Sequence, residues 1–306
     1  MDRYDLIKHS VKCPLYKFKS GLLSPLGINL YRDLYEQGNI SVEAYNKLLG
    51  WCDLCKLCSE AYQYVKKCWE DAFSDSVDLS LDVIEEGVKY FLVPEVLYNN
   101  VGISIVLKNL INRLNYFGFE VGLSIYTGFP YKFIEASLYG FRDIRRIFKG
   151  MLLSEGIDDI IVIDRYTNEL VGRPTKLYVQ SPSKLINDIL TLSNIYPVKS
   201  GLLTIHLINS VYKFYRKELL FLSRYIGLIP QIYVKLSSER YGLGFSPLFR
   251  DYTDILISYF KTHLPSTTYI VSTVDPLIYS LLREALYKRY AISYLPLLIL
   301  SILRKY

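Results

Sequence analysis

Cys52, Cys55 and Cys58 form a C-x₂-C-x₂-C motif, in which every third residue is a cysteine. Three thiolates at this spacing can surround one cuboidal iron–sulfur cluster when a fourth ligand comes from elsewhere in the chain. In ferredoxin-type folds the fourth ligand is a remote cysteine followed by proline, and Cys13-Pro14 fits this description. The spacing therefore predicts that Cys13, Cys52, Cys55 and Cys58 bind one [4Fe–4S] cluster.

Two other interpretations of these cysteines stay open. One is a zinc site with four cysteine ligands, although zinc sites use two separated C-x₂-C pairs more often than a triplet with one distant cysteine. The other is a group of buried helix cysteines without any metal. The fifth cysteine, Cys68, lies outside the spacing. We interpret it as a buried thiol and not as a ligand.

The composition indicates a globular protein. The chain has 306 residues, of which 51% are hydrophobic and 22% are charged, and its net charge is +6. Lys and Arg are scattered among acidic residues, so we predict no nucleic-acid binding. Met1 to Ser20 is charged throughout and lacks the apolar core of a signal peptide. The most apolar run, Tyr294 to Leu303, is too short to span a bilayer. We therefore expect a cytoplasmic protein with reduced thiols.

Residues 1–85 have the pattern of a helical domain. Ser24-Pro25 is typical of a helix start, and that helix should end near Gly38-Asn39. Ser41 should cap the next helix, which continues toward the cysteine motif. After residue 86 the pattern changes to short apolar strands that alternate with helices. This pattern indicates parallel sheets. The predicted strands are Tyr90–Val93, Phe119–Tyr126 and Ile160–Ile163, and the predicted helices are Val101–Tyr116 and Arg142–Leu153.

The α/β part of the sequence repeats itself. The segment Arg113–Gly118 resembles Leu222–Gly227, and each glycine should end a helix before a strand. Ile161-Val162 and Ile270-Val271 follow these two glycines at equal distances, with a constant offset of 109 residues. We therefore predict a duplicated α/β unit, with one long doubly wound domain as the alternative. The predicted fold is α+β, with domains at residues 1–85, 86–196 and 197–306.

At this level the chain resembles a family of iron–sulfur oxidoreductase subunits. The resemblance rests on Cys13-Pro14-Leu15-Tyr16, Ser24-Pro25-Leu26-Gly27, Arg32-Asp33-Leu34 and the cysteine triplet. The family includes the iron–sulfur subunits of heterodisulfide reductases and of glycolate, lactate and anaerobic glycerol-3-phosphate dehydrogenases. It implies an N-terminal helical ferredoxin-like domain with two clusters, followed by two tandem Rossmann-like, cysteine-rich CCG domains.

The chain lacks all four cysteines that would bind one of the family's two clusters. The family shows the motif C-x₂-C-x₂-C-x₃-C-P twice, and the fourth cysteine of each motif serves the other cluster. One cluster would then need cysteines at the positions of Arg3, Leu6, His9 and Tyr62, and all four are absent. The other cluster needs Cys13 and the triplet, and all four are present. The resemblance thus implies one cluster. His9 is interpreted as a surface or capping residue.

The CCG domains have lost their cysteines as well. The segments that stand where the family has cysteines are Tyr126-Thr127-Gly128, Arg165–Asn168, His206–Asn209, Arg240–Gly244 and Val274–Leu277. Glycines that serve the backbone turns remain, whereas the thiols that would hold a catalytic cluster do not. We therefore expect these domains to keep the fold without the family's active-site cluster, with His206 as a packed residue at a strand end.

The resemblance implies an electron-transfer subunit of a multi-subunit oxidoreductase, either heterodisulfide-reductase-like or a flavin dehydrogenase complex. Its partner would hold flavin or further iron–sulfur clusters. The complex would be cytoplasmic, and peripheral association with the inner face of the membrane stays open. The first alternative is a scaffold subunit in which iron–sulfur or zinc only stabilises the fold. The second is a stand-alone enzyme that reduces a disulfide, which the missing CCG cysteines disfavour.

Overall fold

The chain forms two compact units in the computed structural model. The first contains Met1–Ser76 and Leu236–Tyr259, and the second contains Val77–Lys235 and Phe260–Tyr306. The structure describes residues 3–11, 13, 24–49, 58, 60–72, 78–129, 131–172, 176–191, 195–197, 205–208, 214, 217–218, 232–234, 270–288 and 290–305. In this described part of the chain, no helix combines the length and apolar character that crossing a bilayer requires.

The described part of the first unit is helical. Its helices are α1 Arg3–Ser10, α2 Pro25–Glu36, α3 Val42–Leu49 and α4 Ala61–Ala72. The predicted starts are confirmed: α2 begins with proline after an extended Ser24, and the Ser41 hydroxyl accepts a hydrogen bond from the Ala44 amide at 3.2 Å. Gly38, at φ 73°, follows α2 in the left-handed conformation that glycine adopts readily. Helix α2 packs against each of the other three helices.

The second unit begins with a five-stranded sheet. Its strands are β1 Leu81–Glu85, β2 Lys89–Pro94, β3 Val121–Tyr126, β4 Asp159–Ile161 and β5 Tyr178–Gln180. They lie in the order β1-β3-β2-β4-β5, and only β1 is antiparallel to its neighbour. The helices of this half are α5 Glu95–Tyr98, α6 Val101–Tyr116, α7 Tyr131–Tyr139, α8 Phe141–Ser154, α9 Arg165–Val171 and α10 Pro182–Thr191. Helix α6 has the predicted bounds.

The remaining strands form a second parallel sheet and a small antiparallel pair. The sheet has the order β10-β9-β7-β8, and the pair joins β6 to β11. The strands are β6 Ile195–Pro197, β7 Ile205–Ile208, β8 Ile232–Val234, β9 Ile270–Thr273, β10 Ala291–Tyr294 and β11 Leu303–Lys305. The described helices of this half are α11 Pro276–Leu286 and α12 Leu295–Ile302.

The two parallel sheets have the same topology. Without the antiparallel β1, the first sheet has the strand order β3-β2-β4-β5, and the second has the order β8-β7-β9-β10. In both sheets, the strand that comes first in the chain lies between the second and the third, and the fourth lies at the edge beside the third. This agreement supports the predicted duplication. The offset between corresponding elements differs from the predicted 109 residues. Strands β4 and β9 begin 111 residues apart, and so do helices α9 and α11.

Helix α6 joins the two halves of the second unit. It packs against both α11 and α12. Arg113 on α6 donates from Nε to the carbonyl of Leu300 at 2.9 Å and from Nη2 to the carbonyl of Leu303 at 2.7 Å. The guanidinium thus satisfies carbonyls at the end of α12 that have no partner within the helix. At the other end of α6, Ser280 donates to the capping Asn100 side chain at 2.8 Å.

The structure confirms a mixed α+β fold with parallel strands. One detail of the prediction is wrong: residues 81–85, assigned to the helical region, form strand β1. This strand pairs antiparallel with β3 at the edge of the sheet, a contact between distant segments that local helix signals do not contain. The domain boundaries at 85/86 and 196/197 stay predictions.

Candidate functional site

Two of the four predicted cluster ligands lie in the described part of the first unit. Cys13 follows the end of α1 and is half-buried, and its amide donates to the Ser10 carbonyl at 2.8 Å. Cys58 precedes α4 and is 7% exposed. Neither forms a disulfide. Cys52 and Cys55 lie outside the described residues.

A polar contact joins the two segments that carry these cysteines. His9, on the last turn of α1, approaches Glu60 with 2.9 Å between Nε2 and Oε2. We interpreted His9 as a surface or capping residue; it is 4% exposed, so it is not a surface residue, and a capping role stays a prediction. Next to it, the buried Ser10 accepts from the Leu26 amide at 3.0 Å. The end of α1 is thus held by both α2 and the segment before α4.

The structure describes the side chains at three of the four positions that would ligate the family's second cluster, and none of the three is a thiol. Leu6, His9 and Tyr62 are all buried, the first two on α1 and the third on α4. Helices α1 and α4 pack against each other. An apolar, an imidazole and a phenol side chain therefore occupy the space near this contact, and none of them is a usual cluster ligand.

Cys68 is buried, as predicted, and it lies in a polar setting. The Arg32 guanidinium donates to its Sγ at 3.9 Å and also pairs with Asp71 at 3.0 Å. Burial, followed by the charge and hydrogen bond of Cys68, raises the pKa values of Tyr45 and Tyr64 above their usual range. Cys68 therefore belongs to a network inside the helical unit.

The structure describes only two of the four predicted cluster donors. Cys13 comes four residues after His9 and Cys58 comes two residues before Glu60, and thiolates are the usual ligands of such clusters. Among the described residues, no group of three or more His, Cys, Asp or Glu side chains could hold a metal ion. The four-cysteine site therefore stays a prediction that depends on Cys52 and Cys55.

A second candidate region lies in the second unit, where two of the segments predicted to replace CCG cysteines come together. Tyr126 ends β3, and Thr167 lies in the first turn of α9. Their hydroxyl oxygens are 3.0 Å apart. Thr167 donates from Oγ1 to Asp164 Oδ2 at 2.6 Å and from its amide to Oδ1 at 2.8 Å. All three side chains are fully buried.

Burial dominates the electrostatics of this group. It raises the pKa of Asp164 to about 6, although the hydrogen bonds from Thr167 and from backbone amides act in the opposite direction. Burial, and then the charge of Asp164, raises the pKa of Tyr126 well above its usual value. Asp164 is therefore a carboxyl group that can take up and release a proton near neutral pH.

The second half places an aspartate at the same position of its fold. Asp275 follows β9, is fully buried, and accepts from the Ile278 amide at 3.3 Å in the first turn of α11. Burial, and then the charges of Glu218, Asp275 and Asp164, raise the pKa of Tyr294 well above its usual value. Carboxyl groups of both halves thus act on one buried phenol.

Our sequence analysis did not predict Asp164 and Asp275 as site residues. A signal was present, because each follows a short apolar strand and precedes a helix. In parallel α/β sheets, this carboxyl end of the strands is where ligands bind. His206 lies within β7, where it pairs with Val271, and its role stays open. The segment Arg240–Gly244 lies outside the described residues.

No protein-family model, curated protein or solved structure matches the chain. The resemblance to iron–sulfur oxidoreductase subunits therefore rests on the sequence motifs alone.

Proposed function

We propose that this chain binds one [4Fe–4S] cluster through Cys13, Cys52, Cys55 and Cys58 and serves as an electron-transfer subunit of a multi-subunit oxidoreductase. The first unit would be a helical ferredoxin-like domain, and the two parallel sheets would be degenerate CCG-type domains. The partner would hold flavin or further iron–sulfur clusters. When bound, the cluster would supply one-electron transfer.

The observation that supports this proposal best is the contact between His9 and Glu60. It brings the end of α1, which Cys13 follows, next to the start of α4, which Cys58 precedes. A remote cysteine must lie close to the triplet to complete a ligand set, and this contact supports such an approach for the segment of Cys58. The filled positions Leu6 and Tyr62 agree with a single cluster.

A scaffold function is the second candidate, and the region around Tyr126 favours it. Tyr126 and Thr167, from two of the five segments that stand in place of the CCG cysteines, form a buried hydrogen-bonded group with Asp164. This group contains no thiol and forms part of the packed interior of the domain. In this case the α/β domains would dock partner subunits, and iron–sulfur or zinc would only stabilise the helical unit.

Metal analysis of protein purified without oxygen tests the cluster. We expect about four iron and four sulfide per chain, with an EPR signal after reduction. Cys55→Ser should lower the iron content strongly. Cys68→Ala is the matched control, because Cys68 is outside the ligand set, and it should keep the iron. Zinc in place of iron would refute the cluster.

Assembly of Cys55→Ser with its partner subunits separates the two functions. Lost turnover in an intact complex supports electron transfer, because only the redox centre has changed. Failure of the complex to assemble supports the scaffold function.

A further inference from the structure

We propose that the outer edge of strand β1 is a docking site for a basic, extended segment of another protein, which pairs with β1 as an additional strand. The inference concerns the second unit only, and it does not depend on the proposed cluster. It rests on the backbone groups of this edge, on the charge around it and on the apolar side chains exposed along it.

Strand β1 pairs with β3 along one side. Among the strands that the structure describes, none pairs with its other side. The Thr127 amide donates to the Ser80 carbonyl at 3.0 Å, and hydrogen-bonded positions of an antiparallel pair alternate with positions that point the other way. The next hydrogen-bonded position is therefore Asp82, whereas the amides and carbonyls of Leu81 and Val83 face away from β3. Such outward groups are the donors and acceptors that an added strand uses.

Carboxylates surround this edge. Five acidic side chains are exposed on β1, next to it and just before β3: Asp78, Asp82, Glu85, Glu86 and Glu120. The Val88 amide donates to the Glu120 carbonyl at 2.7 Å, which places Glu120 beside the turn that links β1 to β2. Lys89 is the only basic residue between positions 73 and 107, and it pairs with Asp159. The edge is thus acidic in a chain whose net charge is +6, and it complements a basic strand.

Apolar side chains are exposed along the same edge. Ile84 is 44% exposed and Val88 is 62% exposed. Ile84 lies at a bulge, because the register of β1 against β3 shifts between Val83 and Glu85. Bulges at sheet edges re-aim side chains. A strand added here removes apolar surface from water, which favours its binding.

The charge of the edge selects the occupant. A second copy of this chain is disfavoured, because pairing β1 with itself brings the carboxylates of both copies to one seam, and like charges across a strand pair are destabilising. Exposed charges on an edge strand oppose such self-pairing. They leave the edge open to a partner of opposite charge, whose lysines or arginines lie across from Asp82 and Glu85.

Binding of synthetic peptides to the full-length chain, followed by fluorescence anisotropy, tests the proposal. The probe is a labelled peptide of about ten residues in which lysine alternates with valine or threonine. We expect it to bind, and its Kd should rise at least about tenfold when glutamate replaces lysine. A third peptide keeps the lysines and carries N-methyl groups on its backbone amides. Its Kd should also rise at least about tenfold, because it lacks the donors that pair with β1.

Variants of the edge give a second test, in about 0.15 M salt, which screens distant charges. Asp82→Lys/Glu85→Lys should raise the Kd of the lysine peptide at least about tenfold. Asp143→Lys/Glu155→Lys is the matched control, because it changes the net charge equally at exposed positions of α8 and just beyond it, and its Kd should not change. Val83→Pro removes one outward amide and keeps every carboxylate, so it should also weaken binding. Far-UV circular dichroism checks that each variant is folded.

Four outcomes would overturn the inference. They are no binding of the lysine peptide, equal affinity for its N-methylated form, equal Kd values for the edge variant and its control, and a wild type that sediments as a dimer and becomes monomeric in Val83→Pro. The second outcome would show attraction by charge alone, and the last would show that a second copy occupies the edge. None of these results bears on the iron content, which tests the proposed function separately.

Discussion

The substitution Asp164→Asn should change the pH dependence of stability in the second unit. Asp164 is fully buried, and burial raises its pKa from 3.8 to about 6. The folded protein therefore keeps the proton of this carboxyl to higher pH than the unfolded chain does. Stability is lost as the pH rises from about 3.8 to about 6, because above this range the folded state must bury the charge.

The size of this effect follows from the two pKa values. Each tenfold change in proton affinity corresponds to about 1.36 kcal/mol, so the whole contribution is about 3 kcal/mol. About half of it, roughly 1–2 kcal/mol, falls between pH 5 and pH 8. Asparagine removes the charge and keeps an oxygen that can accept from the Thr167 amide. The stability of the variant relative to wild type should therefore rise by roughly 1–2 kcal/mol from pH 5 to pH 8.

Urea unfolding followed by far-UV circular dichroism at both pH values measures this difference. Asp143→Asn is the matched variant: Asp143 is exposed on α8, so its effect should be the same at both pH values. If Asp164→Asn also shows the same effect at both values, the reasoning from burial is refuted.

Two other predictions concern the packing of the second unit. Gly122→Ala should lower the free energy of unfolding by about 3 kcal/mol, because its new methyl group would collide with the Glu85 carbonyl. Gly150→Ala is the control: Gly150 has open space around it in α8, so this variant should raise the free energy of unfolding by up to ~1 kcal/mol. Equal stability of these two variants in urea unfolding would contradict the close approach of β1 to β3. Arg113→Ala should cost about 1–3 kcal/mol, because it removes two hydrogen bonds to carbonyls such as that of Leu300. A thermal midpoint equal to that of wild type would show that α6 does not hold the end of α12.

Local signals in the sequence determined most of the elements. Ser24-Pro25 marked the start of α2, and Ser41 marked the start of α3, because capping depends on residues within one turn. Gly118, at φ 90°, follows α6 as predicted, because a left-handed residue after a helix favours glycine. The duplication of the α/β unit stays a prediction, which the matching strand order of the two sheets supports.

For the candidate cluster site, the sequence predicted the ligand residues, whereas it did not predict the contacts around them, such as that of His9 with Glu60. The spacing of the cysteines predicts their chemistry, because ligands of one cluster must lie within a few residues of each other or return from one remote position. The burial of His9 was not predictable, because a single histidine in a short helix with many polar residues does not separate a buried face from a surface.

Strand order, the edge position of β1 and the meeting of Tyr126 with Thr167 were decided only by the tertiary structure. Each depends on contacts between segments far apart in the chain, which no local pattern encodes. From the sequence alone, the cysteine spacing indicated which residues could bind a cluster, and local patterns indicated most of the helices and strands. The folded structure decided which of them meet, and how deeply Asp164 is buried, because the cost of burying a charge depends on everything packed around it.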